Sequence, residues 1–101
     1  MTPFGLTGRE QDLICSVLDG YLEVIGAKIF GSRAKGNFRP NSDIDLALWG
    51  NISLVTLATI AGELDELPLP YTFDVEAYDS IRHEPLREHI DRAGKTFYVR
   101  A

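Results

Sequence analysis

The sequence predicts a small α/β (α+β) domain: a mixed β-sheet with helices packed on one face. Three observations carry that expectation. Apolar residues recur at helical spacing over 7–22, 53–67 and 84–93. Short runs between them read as strands, with acidic and apolar residues alternating in two of these. Glycines and prolines (Gly26, Gly31, Gly50, Pro68, Pro70, Gly94) punctuate the changes of pattern. The order is helix, strand, turn, strand, helix, strand, helix, with a short closing strand.

Thr7-Gly8-Arg9-Glu10 has the form of a capping box and opens the first helix at about Thr7. Leu13, Ile14, Val17, Leu18, Tyr21 and Leu22 mark its apolar face, and Gly26 breaks the pattern. Ala27 to Phe30 is a short strand ending at Gly31. Arg33 to Gly36 is one helical turn, Asn37 to Ser42 a loop containing Pro40, and Asp43 to Trp49 the second strand. Ser53 is the N-cap of a helix running to about Leu67, with Leu57, Ile60, Ala61 and Leu64 as its buried stripe. Pro68 and Pro70 forbid its continuation. Thr72 to Tyr78 is the third strand, with Phe73, Val75 and Ala77 on one face and Asp74, Glu76 and Tyr78 on the other. Glu84 to Ala93 is the last helix, stopped by Gly94, and Thr96 to Val99 is a final strand. Helices then cover the Ile44/Leu46/Leu48 side of the sheet, and the Asp43/Asp45 side stays open.

The length of 101 residues suits one domain over 1–101. Hydrophobic residues make up 45% and charged residues 25%, the balance of an ordinary globular protein. A net charge of −5 argues against sequence-independent nucleic-acid binding, which needs clustered Lys and Arg, but not against a nucleotide. Cys15 is the single cysteine, so an internal disulfide and a thiolate zinc cluster are excluded, and it reads as a small buried hydrophobe. There is no signal-peptide pattern and no apolar run near the ~20 residues of a membrane span, so a cytoplasmic setting is expected. His83 and His89 are too isolated to form a metal cluster and read as solvated. Trp49 is expected to pack at the sheet end, while Phe38 is either an exposed contact or local packing.

Strand alternation projects Asp43 and Asp45 to one side, ~7 Å apart. At an effective dielectric of ~20 they repel by roughly 2 kcal/mol. A bound divalent cation offsets this best. Magnesium takes oxygen ligands and is held by one or two carboxylates plus substrate phosphates. Asp74 is the natural third member, from a neighbouring strand ~4.8 Å away, with Glu76 taking its place if the register slips. Two ions ~3.5–4 Å apart can clamp the attacking and leaving oxygens of a displacement at phosphorus. As a plain solvated edge, the pair is hard to explain, because Asp is disfavoured in strands and these two interrupt a strong apolar run.

The preceding segment, Gly31-Ser32-Arg33-Ala34-Lys35-Gly36, suits a phosphate. Glycine lets the backbone approach a ligand at positive φ, and the first N–H groups of a helical turn are free for phosphate oxygens. Ser32 adds a hydroxyl, and Arg33 and Lys35 add positive charge, at least one of them expected to be merely solvated. The spacing is not that of a P-loop.

The stretch from Gly31-Ser32 to Ser42-Asp43-Ile44-Asp45-Leu46-Ala47-Leu48 resembles the signature of the DNA polymerase β-like nucleotidyltransferase superfamily. In length and motif wording the chain is most similar to minimal nucleotidyltransferases of the MNT antitoxin type. The resemblance implies a polymerase β-like fold and nucleotidyl transfer from a nucleoside triphosphate, usually ATP, with two Mg2+ ions. By that likeness Asp43 and Asp45 are the paired metal ligands, Gly31 and Ser32 hold the triphosphate tail, and Asp74 is the third carboxylate, which can help deprotonate the attacking hydroxyl. The partner so implied is a HEPN-domain toxin ribonuclease, neutralised by adenylylation of a tyrosine, by binding, or both. A purely occluding antitoxin, or a subunit of a small-molecule nucleotidyltransferase, are the alternatives.

Overall fold

A computed structural model describes residues 4–101. Of the expected domain over 1–101, residues 1–3 lie outside the described residues. The capping box forms: Thr7 Oγ1 accepts from the Glu10 N–H at 3.1 Å, and Glu10 Oε1 accepts from the Thr7 N–H at 2.9 Å. Helix α1 spans Gly8–Asp19 and buries Ile14 and Leu18. It ends earlier than the apolar pattern suggests, because the Gly20 N–H turns back onto the carbonyls of Val17 and Leu18. Leu22, expected on the buried face, is 80% exposed as a result.

Strand β1 (Gly26–Phe30) leads into the short helix α2 (Ser32–Lys35). Strand β2 is Ile44–Trp49, and α3 (Leu54–Asp65) follows under a Ser53 cap whose side chain accepts from the Thr56 N–H. Strand β3 is Phe73–Ala77, a single 3-10 turn covers Tyr78–Ser80, α4 is Glu84–Ala93 and β4 is Lys95–Val99. The strands lie in the order β3-β2-β1-β4. Strand β1 runs antiparallel to both β2 and β4, while β2 and β3 are parallel, with α3 in the crossover connection that a parallel pair needs.

The fold class is the expected one, and period-two alternation divides its core. Ile29, Ile44, Leu46, Leu48 and Phe97 point to the face covered by α1 and α3, against Ile14, Leu18, Ile60 and Leu64. On the other face Phe30 and Ala47 meet Ile81 and Ile90, flanked by Trp49, Tyr78 and Leu86. One-sided packing therefore holds for α1 and α3 only. Helix α4 lies across the acid-bearing face, because Leu86 and Ile90, four residues apart, form one apolar stripe and Ala47 is small enough to seat it. It covers the far end of β2, while at the near end Asp43 and Asp74 are exposed and Asp45 is half-buried.

Candidate active site

Register decides which carboxylates meet. In the parallel ladder Asp45 is paired with Asp74, Leu46 with Val75 and Ala47 with Glu76. Paired residues on adjacent strands share a face ~4.8 Å apart, so Asp45 and Asp74 are direct neighbours and Glu76 sits further along. Asp43 precedes β2 by one residue. Asp43 and Asp74 are exposed and Asp45 is half-buried. Burial pushes the Asp45 carboxyl above its ordinary pKa, and the negative charges of Asp74 and Asp43 push it further in the same direction. Both neighbours thus act electrostatically on Asp45. Glu76 is also raised, first by burial and then by Asp74. The two ion pairs found among the described residues, Arg92–Glu88 and Arg100–Asp19, lie elsewhere.

The turn touches this acid cluster. Phe30 pairs with Asp45 across the antiparallel ladder, so the chain leaves β1 beside that carboxylate. Gly31 has φ 75°, and a Cβ on it would collide with Asp45 Oδ2. Only glycine combines that backbone with that approach. Ser32, half-buried, begins α2; Gly36 closes it at φ 86°, its N–H donating to the Ser32 carbonyl. Lys35 is exposed.

Arg33, expected to contact nucleotide, faces the other way. Its residue is 1% exposed. Nη1 donates to the Phe4 carbonyl at 2.9 Å, and Nε and Nη2 donate to the Ser42 carbonyl at 3.1 and 2.9 Å. Nη2 also reaches the Pro40 carbonyl at 3.3 Å. The guanidinium lies 5.2 Å from the Phe38 ring centroid and 4.8 Å from that of Tyr71. Four of its five N–H donors are committed to backbone carbonyls and the side chain is buried, so the structure presents Arg33 to the chain around it rather than to the open side of the turn, unlike the expectation of a nucleotide contact. Phe38 packs locally, its ring lying against Gly5.

The reading of Trp49 holds, and those of His89 and Cys15 change in smaller ways. Trp49 packs at the sheet end, stacked on Tyr78 at 4.3 Å between centroids with Lys28 Nζ over its ring. His89 is half-buried, with its ring edge-on to Phe30 at 6.2 Å. Cys15 is half-buried against the core, and burial raises its thiol pKa. No signal in the sequence points to the Tyr71 contact with Arg33, which depends on tertiary packing.

The donor set at Asp43, Asp45 and Asp74 is oxygen only, the chemistry that suits magnesium. No group of three or more His, Cys, Asp or Glu among the described residues is arranged to hold a metal ion. The aspartates share a face and a field without closing into a ready three-ligand cluster. An ion there would take its remaining ligands from phosphate oxygens and water, as magnesium commonly does.

The model of the polymerase beta nucleotidyltransferase family matches residues 12–101. Among solved structures, a toxin–antitoxin with AMP-PNP superposes with TM-score 0.74 at 22% identity, over 89% of this chain and 73% of that one. The toxin–antitoxin MntA-HepT gives TM-score 0.70 at 20% identity, over 93% and 74%. A tri-AMPylated Shewanella oneidensis HEPN toxin in complex with MNT antitoxin gives 0.69 at 19%, over 91% and 71%. At these identities the likeness is one of fold. No curated protein matches in sequence. Among the described residues no helix is long and apolar enough to cross a membrane.

Proposed function

The chain belongs to the polymerase beta nucleotidyltransferase family, and from that premise we propose that it is an antitoxin-type protein adenylyltransferase. It transfers AMP from Mg-ATP to a tyrosine hydroxyl of a HEPN-type toxin ribonuclease and so neutralises it, working in the cytoplasm as one minimal domain. The observation that carries this reading is the pairing of Asp45 with Asp74 beside the Gly31 turn. The fold shared with an MNT antitoxin in complex with a tri-AMPylated HEPN toxin supports the choice of partner and acceptor.

In this reading the turn at Gly31 and Ser32 holds the triphosphate tail through backbone N–H groups and the Ser32 hydroxyl. Asp43, Asp45 and Asp74 would hold magnesium, which when bound neutralises phosphate charge and stabilises the charge developing at phosphorus. Asp74, exposed on the outer strand, takes the proton of the acceptor hydroxyl. The acceptor oxygen bonds to the α-phosphorus as the bond from that phosphorus to the bridging oxygen breaks, and pyrophosphate leaves. Lys35, exposed at the end of α2, faces solvent and contributes little.

One observation favours a second reading, an antitoxin that only occludes its partner: the absence of a ready three-ligand cluster among the described residues. Against it stands a half-buried acid whose own neighbours repel it, which a pure binder has no use for. The deciding experiment is the intact mass of a HEPN partner incubated with this protein, ATP and magnesium. Adenylyl increments that vanish with Asp43→Asn/Asp45→Asn support transfer. Neutralisation of the partner with an unchanged mass supports occlusion.

A further inference from the structure

The geometry points to Arg33 as a positioning residue: a buried cation that locks the turn after β1 to the chain leading into both acid-bearing strands, and that does not touch the nucleotide. Its consequence for ligand binding rests on the function proposed above; its structural part does not.

A buried guanidinium must be satisfied at its donors. Here the acceptors are all backbone carbonyls, those of Phe4, Pro40 and Ser42. The Ser42 carbonyl takes both Nε and Nη2, and it belongs to the peptide that joins Ser42 to Asp43. Fixing that carbonyl fixes the peptide plane from which Asp43 projects. The loop behind it is closed on itself: the Ser42 N–H donates to the Arg39 carbonyl at 3.0 Å, and Ser42 Oγ accepts from the Arg39 N–H at 2.8 Å.

The second strand is tied in through Tyr71. Its ring lies 4.8 Å from the guanidinium, and its hydroxyl donates to the Glu10 carboxylate at 3.1 Å. Tyr71 is followed by Thr72, whose carbonyl accepts from the Ile44 N–H at 2.9 Å. That bond starts the β2–β3 ladder that places Asp45 across from Asp74. Arg33 itself follows Ser32 directly. One side chain thus touches or borders the turn, the approach to Asp43 and the approach to Asp74. The planar fork is what lets it serve three carbonyls at once, and a lysine ammonium at the same place lacks that geometry.

Two measurements test this. In the unaltered protein, the Arg33 Nε–H should exchange with solvent at least tenfold more slowly than that of exposed Arg39 by NMR, before and after addition of Mg-AMP-PNP. In Arg33→Lys, amides of 42–45 and 71–74 should exchange at least tenfold faster while those of α3 hold, and Mg-AMP-PNP affinity should fall at least tenfold. An Arg33 Nε–H as labile as that of Arg39 overturns the proposal. So does an Arg33→Lys protein with unchanged exchange, or with altered exchange and undiminished affinity. If Arg33→Lys does not fold, the Nε–H measurement alone decides. If the unaltered protein binds no Mg-AMP-PNP, the proposed function fails, while the exchange data still judge the positioning role.

Discussion

Asp45 sets the chemistry of the site at the scale of single residues. Its carboxyl holds a proton more tightly in the folded chain than in the unfolded one, through burial and then the charges of Asp74 and Asp43. The stability linked to that proton is intact below the unfolded pKa and is lost as pH rises through the raised one. Asp45→Asn should therefore melt at a higher temperature than the unaltered protein at pH 7 without divalent ions. The gain should fade toward ~pH 4, the ordinary carboxylate range. A lower melting temperature at pH 7 would contradict the repulsion. Gly31→Ala meets two penalties, a left-handed φ of 75° and a Cβ against Asp45 Oδ2. The first alone costs about 1–2 kcal/mol, so urea denaturation should show at least that loss. The placement of Asp45 beside the Gly31 turn was legible from sequence because the spacing is local and strand alternation is strict. The burial of Arg33 was not, because its partners Phe4 and Tyr71 lie in segments that only the tertiary fold brings to it.

Among the elements, α4 is the one that partly covers the acid-bearing face. Its Glu84–Ala93 span was legible, since Pro85 stands in the first turn and Gly94 follows the last. Its place on the acid-bearing face was not, because that depends on Ala47 leaving room opposite Leu86 and Ile90. Ile90 is the fully buried anchor of α4, so Ile90→Ala should cost about 2–5 kcal/mol in chemical denaturation. A loss below about 1 kcal/mol would mean that α4 is not held there by this contact. The β2–β3 pairing also separates the two acids of β3: Asp74 stands across from Asp45, and Glu76 across from Ala47. Sequence left that choice open, since alternation puts both on one face and only register distinguishes them. The early end of α1 was likewise hidden, because Tyr21 and Leu22 continue the apolar spacing past the Gly20 cap.

Across the whole molecule, the two faces of the sheet divide the labour. One is sealed by α1 and α3 and supplies most of the core; the other is half sealed by α4 and leaves the aspartates open. The radius of gyration is 12.6 Å, close to the ~13 Å of a 100-residue domain. A surface this open at the acids suits a ligand whose own phosphates complete the metal shell and an acceptor brought by another protein. Calorimetric titration with AMP-PNP tests that claim most directly. Binding should require magnesium, weaken on Ser32→Ala, change little on Lys35→Ala, and disappear in Asp43→Asn/Asp45→Asn. Binding that is indifferent both to magnesium and to loss of the two carboxylates would contradict it.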